Sequence, residues 1–372
     1  MEGKHYFEKF VELQEKLLTY LQEEKNVEVN FHVLRRYLDQ KKINLKNEGF
    51  IEFLHLISRI STNHHRTPLF QTKIEKILIS YKDDIKANFT NTCIFNIFKK
   101  NKLLLLFLFE EKIINFDQNI LNLFEKEKSI KAFFDRNDFK KYFAPEIQQF
   151  SQTQNQSNES LESFRENRKI GENHHYICKL IRNDSVEEFI KYVNKNSINL
   201  SSQIEFSIFE NNSFLINKNP TIIQYAAFFG SIQIIQYLRL NGIELSSSLW
   251  FYAIHSNNAE LIHLLEEYEE DKIVKLEYFK EAVKCHHNEI AKYFKDNYQL
   301  ETQNYCPSKM IKYYNFEFIE TNSVKSHFFY LCCYDYFALV KILLNDKSID
   351  LNRKTIFIFC FFHLIGIINI FI

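Results

Sequence analysis

Four segments of this chain repeat one phrase, and that repetition limits the fold more than any other feature. Residues 221–242 read TIIQYAAFFGSIQIIQYLRLNG, 248–265 SLWFYAIHSNNAELIHLL, 277–294 EYFKEAVKCHHNEIAKYF and 328–344 FFYLCCYDYFALVKILL. Ala226, Ala253, Ala282 and Leu331 align as anchors. Eight positions on come Ile234, Leu261, Ile290 and Leu339; twelve positions on come Leu238, Leu265, Phe294 and Leu343. The steps between anchors are 27, 29 and 49 residues, the last long enough to hold an insertion around 301–316. A period near 30 with one small-residue helix and one aliphatic helix per unit predicts a stack of helix pairs. Ala226 and Ala227 let the first helix lie close to its neighbours. Gly230 suits the turn, where a positive φ costs glycine little, and Gly242 suits the stop after the second helix. No pair buries both faces alone, so each depends on the next.

The rest of the composition agrees. Six glycines and four prolines in 372 residues are too few for the turns of a sheet-rich fold. The glycines lie at least twelve residues apart, so no dinucleotide or phosphate loop can be written from them. The fold class expected is all-α, a helical N-terminal region followed by a solenoid of helix pairs. Net charge is zero; residues 1–150 carry 25 Lys+Arg against 21 Asp+Glu, and the remainder 22 against 26. Neither half has the basic excess that nucleic-acid binding needs.

Residues 1–150 read as consecutive helices with apolar stripes at Phe7–Leu21, Phe31–Leu38 and Ile51–Ile60, and Pro68 suits the first turn of a helix reaching about Tyr81. The run Leu103–Phe109 is seven residues long, too short for a bilayer, and reads as a buried core helix. Residues 151–172 open with SQTQNQSNES, which has no apolar residue and reads as a polar linker. Residues 173–352 hold the repeats. The tail 353–372 includes 17 uncharged residues, Ile356–Ile372, after Arg353-Lys354. That is the lower limit for a membrane span, so a tail anchor, a packed cap and an altered reading frame stay open.

The repeat phrase resembles the ankyrin repeat. Thr221 stands at the family's Thr, Ala226-Ala227 at its alanines, Gly230 at its turn glycine, Ile234-Ile235 at its paired aliphatics, and Leu238 and Gly242 at its closing residues. Leu339–Leu344 matches the second-helix segment, and Asp350-Leu351-Asn352 the residues after it. Ile222 and Gln224 replace the family's Pro and His, so a capping hydrogen bond is expected to be missing; Asn257, His286 and Asp335 replace the turn glycine. Ile97–Phe109 and Arg182–Val193 are weaker echoes, the latter fitting only with one inserted residue. The whole chain is similar to a protist family of degenerate ankyrin proteins with an N-terminal domain of unknown function. The resemblance implies a protein-interaction scaffold, with an unidentified protein partner held along the concave face.

By position, the side chains offered to that partner are Phe228, Phe229, His255, Ser256, Lys284, Cys285, Cys333 and Tyr334. Trp250 reads as core. Cys285-His286-His287 could form half of a metal site with His255 or His263, but the spacing fits no ligand template, so no metal and no cofactor are expected. His64-His65 and His174-His175 lie in polar stretches and read as solvated. Seven scattered cysteines without a CxxC, and a charged segment Met1–Glu15, suggest reduced thiols in a cytoplasmic protein. No nucleophile motif stands out, so a non-enzymatic adaptor is expected. A membrane-tethered adaptor is the alternative, and a Cys–His hydrolase a remote one.

Overall fold

The computed structural model describes residues 2–41, 43, 49–67, 69–126, 136–151, 158–266, 272–300, 307–319 and 326–345. The tail 353–372 and its three readings lie outside the described residues, as do Pro68 and Asp350–Asn352. Among the described residues the protein is all-α, with 23 helices and no strand.

The N-terminal part holds α1 (Glu2–Gln22), α2 (Val27–Gln40), α3 (Gly49–Asn63), α4 (Phe70–Ser80), α5 (Lys82–Asn88), α6 (Asn91–Phe98), α7 (Lys102–Glu110), α8 (Gln118–Lys126), α9 (Arg136–Tyr142) and α10 (Ala144–Ser151). Thr90 and Asn101 cap α6 and α7 by accepting from the amides of Cys93 and Leu104. The leucine run forms α7 and is buried from Leu103 to Leu106 and at Leu108. The expected linker is helical over most of its length: α11 (Asn158–Ile170) packs on α7. Its buried Arg168 holds Glu146 at 2.8 and 3.0 Å and donates to the Tyr142 carbonyl at 3.0 Å. The apolar residue that the opening ten positions lack comes later in the segment, at Phe164, which packs against the core.

The second part holds α12 (Tyr176–Arg182), α13 (Val186–Lys195), α14 (Ser213–Lys218), α15 (Ile222–Phe229), α16 (Ile232–Leu240), α17 (Leu249–Ser256), α18 (Ala259–Leu265), α19 (Lys272–Cys285), α20 (Asn288–Asn297), α21 (Pro307–Tyr313), α22 (Phe328–Cys333) and α23 (Phe337–Asn345). First helices pack in series, α12 on α15, α15 on α17, α17 on α19, α19 on α21 and α21 on α22. Ala226, Ala227, Ala253 and Ala282 are fully buried between them, and Trp250 is core. The long step between Ala282 and Leu331 is not an insertion alone: it carries α21, a further first helix.

The backbone repeats with the sequence. Asp184, Gly230, Asn257, His286, Tyr314 and Asp335 all turn the chain at positive φ, between 47° and 69°. At five of these six turns the next amide donates to a carbonyl five residues back: Ser185 to Leu180, Ser231 to Ala226, His287 to Ala282, Asn315 to Met310 and Tyr336 to Leu331. Leu180 and Met310 are therefore anchors too, and no inserted residue is needed at the Asp184 turn.

A side-chain ladder ties four of these units to the one before. Ser231 Oγ donates to the Ile181 carbonyl at 2.6 Å, Asn315 Nδ2 to Val283 at 2.9 Å and Tyr336 OH to Ile311 at 2.7 Å. His287 Nδ1 lies 2.7 Å from the Ile254 carbonyl. Four residue types thus make one bond from one position, which satisfies a helix-end carbonyl each time. Asp184 reaches forward instead, accepting from the amides of Gln233 and Ile234 at the start of α16. The capping bond expected to be missing is present in another form. Thr221 Oγ1 accepts from the Gln224 amide and Gln224 Oε1 accepts from the Thr221 amide, a reciprocal box that Gln supplies as well as Glu.

The N-terminal helices fold back on the stack. α1 packs on α23, and α3 packs on α4 and α6 on one side and on α19 and α23 on the other. α3 is buried almost all round, so its polar residues face protein. Glu52 accepts from Tyr6 OH at 2.6 Å and from the Ala338 amide at 3.1 Å, in the first turn of α23. His55 stacks on Tyr314 at 5.3 Å. Gln14 on α1 holds Asn315 Oδ1 at 2.9 Å and the Phe316 amide at 2.7 Å.

Candidate functional site

Where α3 crosses the first helices, it carries a polar row Glu52, His55, Arg59 and Asn63 at steps of three and four, one face of a helix. The row ends over a cavity of about 320 Å³ that Arg59 shares with Lys100 from the α6–α7 turn, Lys218 from α14, Lys284 from α19 and Lys312 from α21. Glu281 is the one carboxylate among the described lining residues, and it already holds Lys284 at 2.6 Å. Phe214, Phe251 and Tyr313 form the apolar wall.

Among the described lining residues five cationic side chains face one carboxylate. Burial, reinforced by Arg59, Lys312, Lys99 and Lys284, pushes Lys100 down to about 7. Burial and the neighbouring Lys309, Arg59 and Lys284 lower Lys312 as well. Burial alone would lower Lys284, but the Glu281 carboxylate outweighs it and raises it. Glu281 shows the converse: burial works upward, yet Lys284 and His255 hold it at about 2. Arg59 Nε is buried with no hydrogen-bond partner. Packed like charges of this kind are destabilising unless an anion meets them.

A second cavity of about 430 Å³ lies across an aromatic wall. Phe214 forms that wall, 6.1 Å from Phe228 and 4.3 Å from His255, ring to ring. Phe228, Phe229 and Ser256 line the second cavity with Arg66 and Arg182, both of which face Glu172, at 3.6 and 2.7 Å.

The eight residues expected to meet a partner thus fall into three groups. Phe228, Phe229, Ser256 and Lys284 are half-buried and line the two cavities. His255 and Cys285 are buried, His255 in the wall of the second cavity and Cys285 lining neither; the end of α3 and the chain after it pack over that part of the first-helix face. Cys333 and Tyr334 are half-buried and line neither cavity, and the Tyr334 carbonyl accepts from Tyr314 OH. The solvated reading of His64 is corrected as well: it is 3% exposed, because the chain after α3 turns into the stack. Arg59, Lys100 and Lys312 were not singled out in the sequence. The readable signal was Arg59, a charge inside the apolar run FIEFLHLISRI.

Cys285 Sγ lies 3.4 Å from His255 Nδ1, and His255 Nε2 lies 2.8 Å from Glu281. Burial pushes the Cys285 thiol well up and holds His255 below its ordinary range. Among the described residues no helix is long and apolar enough to cross a membrane. Comparison with family models, with curated proteins and with solved structures returned no match.

Proposed function

We propose that this protein is a non-enzymatic recognition scaffold of the ankyrin-like type, a degenerate helix-pair solenoid that carries its own N-terminal helices in part of its groove. The repeating positive-φ turns, the buried alanine anchors and the side-chain ladder support the solenoid reading. The cavity of Arg59, Lys100, Lys284 and Lys312 carries the functional reading: it receives an anionic side chain, phosphorylated or acidic, from a partner protein. Phe228 and Phe229, beyond the Phe214 wall, supply aromatic contact for the rest of the partner segment. A hydrolase is disfavoured by the same geometry. The Cys285 thiol, 3.4 Å from His255, is sealed from solvent and held protonated, whereas a nucleophile needs an open, electropositive setting.

Melting of the full chain in phosphate and in chloride at matched ionic strength tests the cavity. Phosphate should raise the midpoint of the wild type, and R59Q/K312Q should lose that increment. No phosphate effect, or one that the double variant keeps, removes the anion site. A phosphoserine peptide bound more tightly than its unphosphorylated form, with the preference lost in the same variant, extends the result to a protein ligand.

A further inference from the structure

Three histidines distant in sequence meet at the seam between the two halves of the chain. His64 and His65 lie where the chain leaves α3, and His287 precedes α20. One ring nitrogen from each lies within 4.8 Å of the others. The closest approach is His65 Nδ1 to His287 Nε2, 2.9 Å. The rings are 4.4 to 5.0 Å apart, centroid to centroid.

The outer bonds of the cluster decide which nitrogens keep a lone pair. His64 Nδ1 lies 2.7 Å from the Cys285 carbonyl, and His287 Nδ1 lies 2.7 Å from the Ile254 carbonyl. A carbonyl only accepts, so both Nδ1 atoms carry the proton and both Nε2 atoms keep a lone pair. Histidines that ligate metals are held in this way, the far N–H fixed on a carbonyl or carboxylate. For His287 that bond is also a rung of the inter-unit ladder, so the fold itself sets the tautomer. His64 Nε2 faces the side-chain amide of Gln22 at 3.2 Å.

Neutral imidazole is the form that binds a metal ion. His65 and Glu289 line a cavity of about 600 Å³ that His287 also reaches, and His64 and His65 line the cavity of Phe228 described above. Small molecules can therefore approach from two sides.

We infer that His64, His65 and His287 form a binding site for a zinc-class divalent ion, with the fourth position open to water. Bonds of about 2.0–2.1 Å to tetrahedral zinc place ligand nitrogens roughly 3.3 Å apart. The cluster, whose ligand atoms lie within 4.8 Å of one another, reaches that spacing by shifts of up to about 1.5 Å, and His65, half-buried in irregular chain, can move. Three imidazoles suit zinc, copper or nickel better than magnesium or calcium. The ligands come from both halves of the chain, so the ion clamps the N-terminal helices to the stack. A second group, His255, Glu281 and Cys285, is equally close, but its carboxylate is bound to Lys284 and a cation there would face that ammonium. This inference is independent of the anion site.

Titration of the metal-free full chain with cobalt(II), followed by absorption and by calorimetry, tests it. The expected result is one ion per chain, without thiolate-to-cobalt charge transfer. H65Q and H65N should weaken binding by more than the 10–100-fold that loss of an outer-shell partner costs. The exposed control H263Q should bind as the wild type does. Zinc should raise the melting midpoint of the wild type and of H263Q, but not of the His65 variants. Absence of binding by the wild type overturns the site. So does binding that survives both His65 variants, and so does a charge-transfer band, which would place the ion on Cys285.

Discussion

Lys100→Met removes the ammonium that the basic cavity disfavours most. Lys100 falls from 10.5 to about 7 in the folded chain. At 1.36 kcal/mol per pKa unit, that is roughly 5 kcal/mol held against the charged form, trimmed to about 2–4 because the side chain is only partly buried. The sign follows from proton counts. Below pH 7 the lysine is charged in both states, and the folded state bears the full penalty. Between about pH 7 and 10.5 the unfolded chain binds the extra proton, so wild-type stability rises with pH, by at most about 1.4 kcal/mol per unit. The variant lacks this term. The contacts that Lys100 makes elsewhere are lost too, but as an offset that does not vary with pH. Urea unfolding of both proteins, in unit steps from about pH 6.5 to 9.5, gives the difference directly. K100M should compare best with the wild type at the acid end and lose ground steadily toward the alkaline end. Parallel curves across that range would show that the cavity does not carry concentrated charge, and the anion site would lose its physical basis.

Two further predictions probe the stack. Asn257 is exposed and turns the chain at φ 53°; N257A should destabilise by about 1 kcal/mol, while N257G should be neutral or better, measured as denaturation midpoints. Ala226→Leu places three carbons where first helices touch, at a fully buried position; it should cost about 1–3 kcal/mol by the same assay. A tolerated leucine would mean that the anchors do not set the spacing.

Much of the helical order was legible locally. The alternation of small and aliphatic residues marks helices directly, and the caps at Thr90, Asn101 and Thr221 lie at the expected ends. Of two further units, the one anchored at Leu180 read only as the weak echo Arg182–Val193, and the one anchored at Met310 read as an insertion, because neither carries the small residues that mark the clearer units. The ladder residue is Ser, His, Asn or Tyr in turn, so its shared role shows only in the bond it makes. The polar row on α3 was visible as Glu52, His55 and Arg59, yet nothing in the sequence says what it faces on a helix buried almost all round.

By itself the chain's order of residues determined that it would be helical, where most helices lie, and that they pair in a recurring unit. Those are short-range matters, settled by steric preference and by which side of a helix is greasy. Only the tertiary structure decided that α3 lies against the first helices. That docking buries His255 and Cys285 and gathers Arg59, Lys100, Lys284 and Lys312 into one cavity. It also carries His64 and His65 to His287. The residues brought together are up to 253 positions apart, and the energy that joins them belongs to surfaces no local pattern encodes.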